Sequence, residues 1–322
     1  MRSLIQDVFL VGAPEPPAGG VGLLDLDDGA AIPFAGGWLV LTTDAHVVQP
    51  AFFPGGDIGR LAVSGTVNDL AVMGATEILG LACAVVVEEG WPRADLERLW
   101  ASFVETCREA SAPLLTGDTK VMRRGEVDGI VITTTGLGRA QRLVRDRGLR
   151  VGDRILVSGT LGDHGFAVLA ARGGLTSDVR SDVAPLRTLV AAALEAGGDG
   201  VVAMKDPTRG GLAGALMEMA SKSGVGILLD DAALPIRDDV RALSELLGID
   251  PLVVANEGKV VLGVAPEAVN RVLEALRGHP LGSRAAVVGT CTAEQPGRTV
   301  VDTGFGRRLL VEPDGELLPR IC

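Results

Sequence analysis

The chain has 322 residues, enough for one large domain or two of medium size around a substantial apolar core. Hydrophobic residues make up 47% and charged residues 22%, which excludes a disordered chain. A formal charge of −11, with 3% aromatics and no Tyr, argues against a surface built for nucleic acid or anionic lipid.

The first residues hold no uninterrupted apolar stretch, so no signal peptide is expected. The best apolar run, 81–87, suits a buried strand and is too short to span a bilayer. The four cysteines (Cys83, Cys107, Cys291 and Cys322) lie far apart with no CxxC pair, and a reducing, cytoplasmic setting fits them. Residues 38–43 predict a strand ending at Asp44, and 50–56 a Pro/Gly loop. A mostly buried helix is expected over 57–73, closed by Gly74, and a strand over 78–87. Residues 94–110 form the clearest amphipathic pattern, with Leu96, Leu99, Trp100, Phe103, Val104 and Cys107 at helical spacing. Residues 114–116 predict a short strand running into a turn at Gly117 and Asp118, and 129–138 another strand.

The polar, basic segment 139–150 marks the expected boundary, giving an N-terminal domain over 1–145 and a C-terminal domain over 146–312. The second half restarts with a strand at 154–158 and alternates helices with strands. Asp206 followed by Pro207 predicts a helix start, and that helix stops at Gly224. Strands are expected within 299–312, and 313–322, with two prolines and a glycine, reads as a flexible tail. The fold class is α/β in two domains.

Asp28, Asp44, Asp118 and Asp206 fall where elements end, the position at which α/β proteins bind ligands and at which hard oxygens suit Mg²⁺. Each could equally be a turn former or helix cap. Asp69, beside Asn68 in an apolar helix, is harder to explain as structure, because a buried carboxylate is costly unless paired or metal-bound. Lys120 follows Asp118 and Thr119 closely enough for phosphate or substrate contact, although a surface lysine is the ordinary reading. Asn256, Glu257 and Gly258 suit a hairpin turn, with Glu257 available as a general base if the turn faces a cleft. The terminal Cys322 has the geometry of a carrier thiol, and it is not four from the end as a prenylation box requires. No GxxxxGK[ST] loop is present, so any ATP use is not of the P-loop type. His46, His164 and His279 lack metal-ligand spacing and read as structural or surface residues.

Read together, Thr42-Thr43-Asp44, Phe52-Phe53-Pro54-Gly55-Gly56-Asp57, Gly65-Thr66-Val67-Asn68-Asp69 and Thr116-Gly117-Asp118-Thr119-Lys120 resemble the HypE family of hydrogenase maturation proteins. So do Gly162-Asp163-His164-Gly165, Asp206-Pro207-Thr208-Arg209-Gly210-Gly211, Asn256-Glu257-Gly258-Lys259 and the terminal Pro319-Arg320-Ile321-Cys322. These are carbamoyl dehydratases of the aminoimidazole-ribonucleotide-synthetase-like (PurM-like) superfamily, and the resemblance runs over nearly the whole chain. It implies a homodimer formed through the N-terminal domains, whose interface builds the ATP site. It implies that the carbamoyltransferase HypF loads Cys322, that ATP drives dehydration of the thiocarbamate to a thiocyanate, and that the cyano group passes to iron on a HypC–HypD scaffold. It further implies Mg²⁺ on Asp28, Asp44, Asp69 and Asp206, and a nucleotide site lined by Asn68, Asp69, Gly117, Asp118, Thr119 and Lys120. Glu257 would be the general base and Lys120 would stabilise charge or help proton transfer. The family's usual His-Gly-x-Gly-Gly-like start before the stretch matching residues 1–9 is missing here, which bears on ATP affinity. Another PurM-like synthetase or kinase would keep the aspartates but have no use for a terminal Cys. A non-enzymatic thiol carrier would bind ATP without cleaving it.

Overall fold

The computed structural model describes residues 4–311 and Ile321. The first half builds β1 (Ala30–Phe34) and β2 (Gly37–His46), then a small hairpin of β3 (Phe52–Phe53) and β4 (Gly56–Asp57). Helix α1 (Ile58–Val72), β5 (Glu77–Glu88), α2 (Arg93–Ala110), β6 (Leu114–Met122) and β7 (Ile130–Ala140) follow. The strands form one sheet in the order β1-β2-β7-β5-β6. β5 and β6 run parallel because α2 crosses between them, and the other neighbours are antiparallel.

Helix α1 explains how the halves join. Asp57 caps it, accepting the Arg60 N–H at 3.0 Å. Nearly every residue along it is buried, because the sheet covers one side and the second half of the chain covers the other. Gly65 permits the close approach to the sheet: a Cβ there would lie 2.8 Å from the His46 ring. Ala71 and Val72, at its end, share an apolar cluster with Leu186, Leu189 and Val190 of the second half.

That second half comprises β8 (Arg154–Val157), α3 (Asp163–Gly173), α4 (Arg187–Gly197), β9 (Val201–Lys205), α5 (Gly211–Ser223) and β10 (Gly226–Asp230). α6 (Asp238–Leu247), β11 (Val261–Val264), α7 (Val269–Gly278), β12 (Ala286–Thr292), β13 (Thr299–Asp302) and β14 (Arg307–Leu309) complete it. Its seven strands run β14-β13-β10-β12-β8-β11-β9. Ile155, Val157, Ala203 and Val261 face a core shared with α5, while Leu156, Met204, Leu262 and Val264 face one shared with α4 and α7. The alternation along each strand therefore reads as continuous apolar sequence, as a sheet covered on both faces requires. The α/β class expected from the sequence is what forms. Among the described residues no helix is long and apolar enough to cross a membrane.

Several local expectations change. β2 continues through Asp44 to His46 because β7 pairs with it along that whole length, so Asp44 lies inside a strand. Gly117 to Lys120 do not turn; they extend β6, held by parallel pairing with β5. The helix expected from Asp206 starts at Gly211, after a loop, with Gly210 at its N-cap in a left-handed conformation. Asn256 to Gly258 form no hairpin but a loop leading into β11. Most of the tail, with Cys322, lies outside the described residues, while Ile321 is buried.

Candidate active site

Four of the expected carboxylates meet where the halves join. Asp28, in the loop before β1, keeps only 9% of its side chain exposed; one of its oxygens accepts from Lys205 Nζ and the other, Oδ2, has no hydrogen-bond partner among the described residues. Asp206 follows β9 directly and is buried, and its Oδ2 is likewise unpartnered. Asp69, on α1, accepts from the Thr42 hydroxyl at 2.8 Å. Asp44, on β2, keeps its side chain 43% exposed, 3.5 Å from His46 Nε2. Burial pushes the Asp206 carboxyl up to about 8, with Asp28 and Asp44 adding repulsion that Lys205 only partly offsets. Burial, then Asp206, Asp44 and Asp28, hold Asp69 well above the usual carboxylate range. The junction thus carries more buried negative charge than its own cations neutralise.

Such a site favours an added cation. Among the described residues no group of three His, Cys, Asp or Glu side chains is placed to hold a metal ion unaided. Mg²⁺ requires less than that, because one or two carboxylates suffice when phosphate and water oxygens fill the remaining positions. The unpartnered oxygens of Asp28 and Asp206 are hard donors of that type, and they fit the ion.

Glu257 lies beside this junction. It is 2% exposed, its Oε1 has no partner, and burial, then Asp206 and Asp182, raise its pKa well above the ordinary value. Its backbone is gripped from two sides. The Glu257 and Gly258 N–H groups donate to the two Asp182 oxygens at 3.1 and 3.3 Å, and Lys259 Nζ reaches the same carboxylate at 2.9 Å. From α1, Asn68 donates to the carbonyls of Ala184 and Glu257, each at 3.1 Å, and accepts the Leu186 N–H at 2.7 Å. Both Asn68 amide protons are used, so this residue ties the halves together and positions Glu257 rather than offering a donor to a ligand.

The second group stands apart. Asp44 pairs across the sheet with Thr134, Thr134 with Cys83, and Cys83 with Gly117. Three strand spacings put Gly117 about 14 Å from Asp44. Lys120 and Asp118 have the opposite pleat parity to Gly117, so they belong to the face turned away from α1. Gly117, Asp118, Thr119 and Lys120 are all exposed on β6, an edge strand paired on one side only. Within one chain Lys120 and Glu257 do not share a site.

Comparison with known proteins decides what this arrangement belongs to. Residues 26–140 match the family model for the AIR synthase related protein N-terminal domain, and residues 150–302 that for its C-terminal domain. The carbamoyl dehydratase HypE of Cupriavidus necator is 50% identical over 293 residues, 89% of this chain and 83% of that protein. The chain belongs to the HypE family. A crystal structure of a HypE–HypF complex superposes with a TM-score of 0.89 at 39% identity, covering 97% of this chain and 100% of that one. HypE crystallised with ATP gives 0.86 at 40% identity, covering 100% of this chain and 96% of that one.

Some residues that shape this HypE-family site escaped the sequence reading. Lys205 bridges Asp28, Asp146 at 3.6 Å and Glu218 at 3.3 Å. Burial works against its charge, but Asp28, Glu218 and Asp146 outweigh it and hold its pKa well above that of an ordinary lysine. Its only signal was adjacency to Asp206. The Asp182–Lys259 pair had none, because its partners are 77 residues apart. His164 was read as structural or surface; it is buried and bonded to the chain's penultimate residue.

Proposed function

We infer that this chain performs the reaction of its family: ATP-dependent dehydration of a carbamoyl group carried on its own Cys322, giving a thiocyanate for hydrogenase maturation. The observation that carries this reading is the over-charged, buried junction of Asp28, Asp206 and Glu257, with the residue bonded to Cys322 seated beside it. Ile321 is 4% exposed and shares an apolar cluster with Ala255, two residues from Glu257.

The chemistry needs an oxygen removed and two protons taken from one nitrogen. The carbamoyl oxygen attacks the ATP γ-phosphorus and ADP departs, making that oxygen part of a good leaving group. The nitrogen gives up its first proton as the oxygen is phosphorylated; the S–C–N unit then loses phosphate, which carries off the remaining N–H proton, and the C≡N bond forms. Glu257 takes a proton from the nitrogen; a carboxylate raised by burial is a stronger base than one in water. The Asp182 and Asn68 grips keep its backbone in place. Asp28 and Asp206, with Asp44 and Asp69 nearby, would hold Mg²⁺ together with phosphate and water oxygens, and the ion would screen the phosphate charge from the carboxylates.

Gly117 to Lys120 enter this scheme through a second copy of the chain. One face of the first sheet is uncovered, and its exposed residues, Leu41 and Leu115 among them, suit a homodimer contact. Pairing there carries β6 of one copy toward the junction of the other, so that Lys120 meets the phosphates. HypF loads the thiol, and a HypC–HypD iron scaffold receives the cyano group, in the cytoplasm. The working division is an ATP-binding, dimerising unit over 1–145, a second unit over 146–312, and a carrier tail over 313–322.

Intact-protein mass spectrometry tests the reading. Wild type and Cys322→Ala are incubated with the carbamoyltransferase, carbamoyl phosphate and ATP–Mg²⁺. A carbamoyl adduct that loses one water, present in wild type and absent in the variant, is expected. No adduct on folded wild type, with the transferase active on another acceptor, would overturn it.

A further inference from the structure

The mechanism above uses neither His164 nor Ser181, yet both are built around the chain's end. His164 opens no route to solvent: it is buried, with Phe53 edge-on to its ring at 5.3 Å. Its Nε2 lies 2.6 Å from the carbonyl oxygen of Ile321, and its Nδ1 lies 2.8 Å from the Ser181 hydroxyl. A carbonyl only accepts, so Nε2 carries the proton and donates to it. Nδ1 of the neutral ring then accepts from Ser181, whose oxygen in turn accepts the Val183 N–H at 3.1 Å. The Ser181 N–H donates to the Pro54 carbonyl at 2.8 Å, which fixes the relay to the β3–β4 hairpin of the first half. Every member has one role, and the tautomer is determined by its neighbours.

The Ile321 side chain completes the seat. It belongs to the apolar cluster that also holds Phe53, Val168, Val183 and Ala255, drawn from both halves. A Cβ added at Gly165 would stand 3.2 Å from its tip, so the absence of one there leaves it room. The gripped carbonyl belongs to the peptide that joins Ile321 to Cys322. Holding that one carbonyl and that one side chain restrains the residue that follows.

We propose that His164, relayed through Ser181, and the aliphatic pocket beneath Ile321 form a latch that seats the penultimate residue and so positions the loaded thiol for dehydration. His164 is a positioning residue, acting through the peptide next to the reacting group. The latch must open for loading and for delivery, since both require the thiol to leave the junction. Position 321 is accordingly a specificity position that takes a mid-sized aliphatic side chain and excludes a charged one. The proposal rests on the functional reading above, but the latch can be observed without turnover.

The test uses the full-length chain and maleimide alkylation of the terminal thiol, followed by intact mass. Cys83, Cys107 and Cys291 are buried and serve as an internal check on folding. Ile321→Ala should be alkylated at Cys322 at least tenfold faster than wild type, the loss expected for most of a buried aliphatic side chain. His164→Ala should accelerate it about fivefold, the loss expected for one hydrogen bond. His164→Gln, which keeps a donor at the distal position, should stay near wild type. Single-turnover conversion of the carbamoyl adduct at saturating ATP should slow in the same order, while acceptance of the carbamoyl group does not. Wild-type alkylation rates in both Ile321→Ala and His164→Ala would overturn the latch. So would modification of all four cysteines at once in His164→Ala with no change in Ile321→Ala, which would make His164 a folding residue. If wild type itself never forms the thiocyanate, the functional reading fails while the alkylation series still decides the latch.

Discussion

The two large sheets of this molecule are built to opposite specifications. The seven-stranded sheet is covered on both faces, and β8 and β11 are buried almost throughout. The five-stranded sheet is covered by α1 on one face only; its other face carries Thr43 and Thr135, hydrogen-bonded at 2.9 Å in the open, and its edge strand β6 is exposed along nearly its whole length. A bare edge strand is normally a hazard that proteins shield. Here it carries Asp118 and Lys120 on the face turned away from Asp44. One half of the chain is finished in itself, and the other, on the proposal above, is completed by a second copy.

The strongest way to break that comparison is to charge the uncovered face. Leu41→Arg with Leu115→Arg should give a monomer by light scattering, because both residues are exposed and lie outside either core. Thiocyanate formation should fall about 100-fold or more, as expected when a catalytic group is no longer held in place. A dimer with normal turnover would remove β6 from the interface.

A sharper version mixes two inactive chains. Glu257→Gln alone should still accept a carbamoyl group but convert it about 10²–10⁴-fold more slowly, the usual worth of a positioned base. Lys120→Ala should also be slow. If Lys120 of one copy serves the junction of the other, equal mixing and subunit exchange should restore about a quarter of wild-type activity. Half of the dimers are then mixed, and each mixed dimer holds one whole site. No recovery after proven exchange would place both residues in one subunit.

How far the sequence could carry this depended on the reach of each interaction. The alternation in 129–138 and the helical spacing in 94–110 are local, and β7 and α2 formed within a residue or two of the expected ends. Asp69 stood out because an acid within an apolar helix contradicts its own surroundings, and the structure places it in the junction. The course of β6 past Gly117 was not legible, because Gly-Asp looks like a turn and only pairing with β5 keeps it extended. The helix start at Gly211 was missed for a related reason: Asp206 and Pro207 are a good local cap, but the carboxylate is drawn into the junction instead. Lys205, Asp182 and His164 depend on partners more than 70 residues away, and no spacing rule finds these.

The smallest effect concerns stability and isolates the surplus charge. Asp206 has a pKa of about 8 in the folded chain against 3.8 for the ordinary side chain. Its protonated form is therefore favoured by folding, and the stabilisation present at low pH is lost as pH rises toward 8. Glu257 and Asp69 are raised too and act in the same direction. Buried His46 and His164 are held below 6.5 by burial, so they oppose folding when forced to charge in acid. With chelator present, Tm should therefore peak in mildly acidic solution and fall steadily from pH 6 to 8.5. Asp206→Asn should flatten the alkaline side and raise Tm at pH 8, by about 2–4 °C for each kcal/mol of repulsion relieved. Excess Mg²⁺ should flatten it in wild type and do less in the variant, because the ion binds the ionised carboxylate that the amide replaces. A Tm in chelator that rises between pH 6 and 8.5 would show that the junction carries no surplus charge, and the case for a cation there would fall with it.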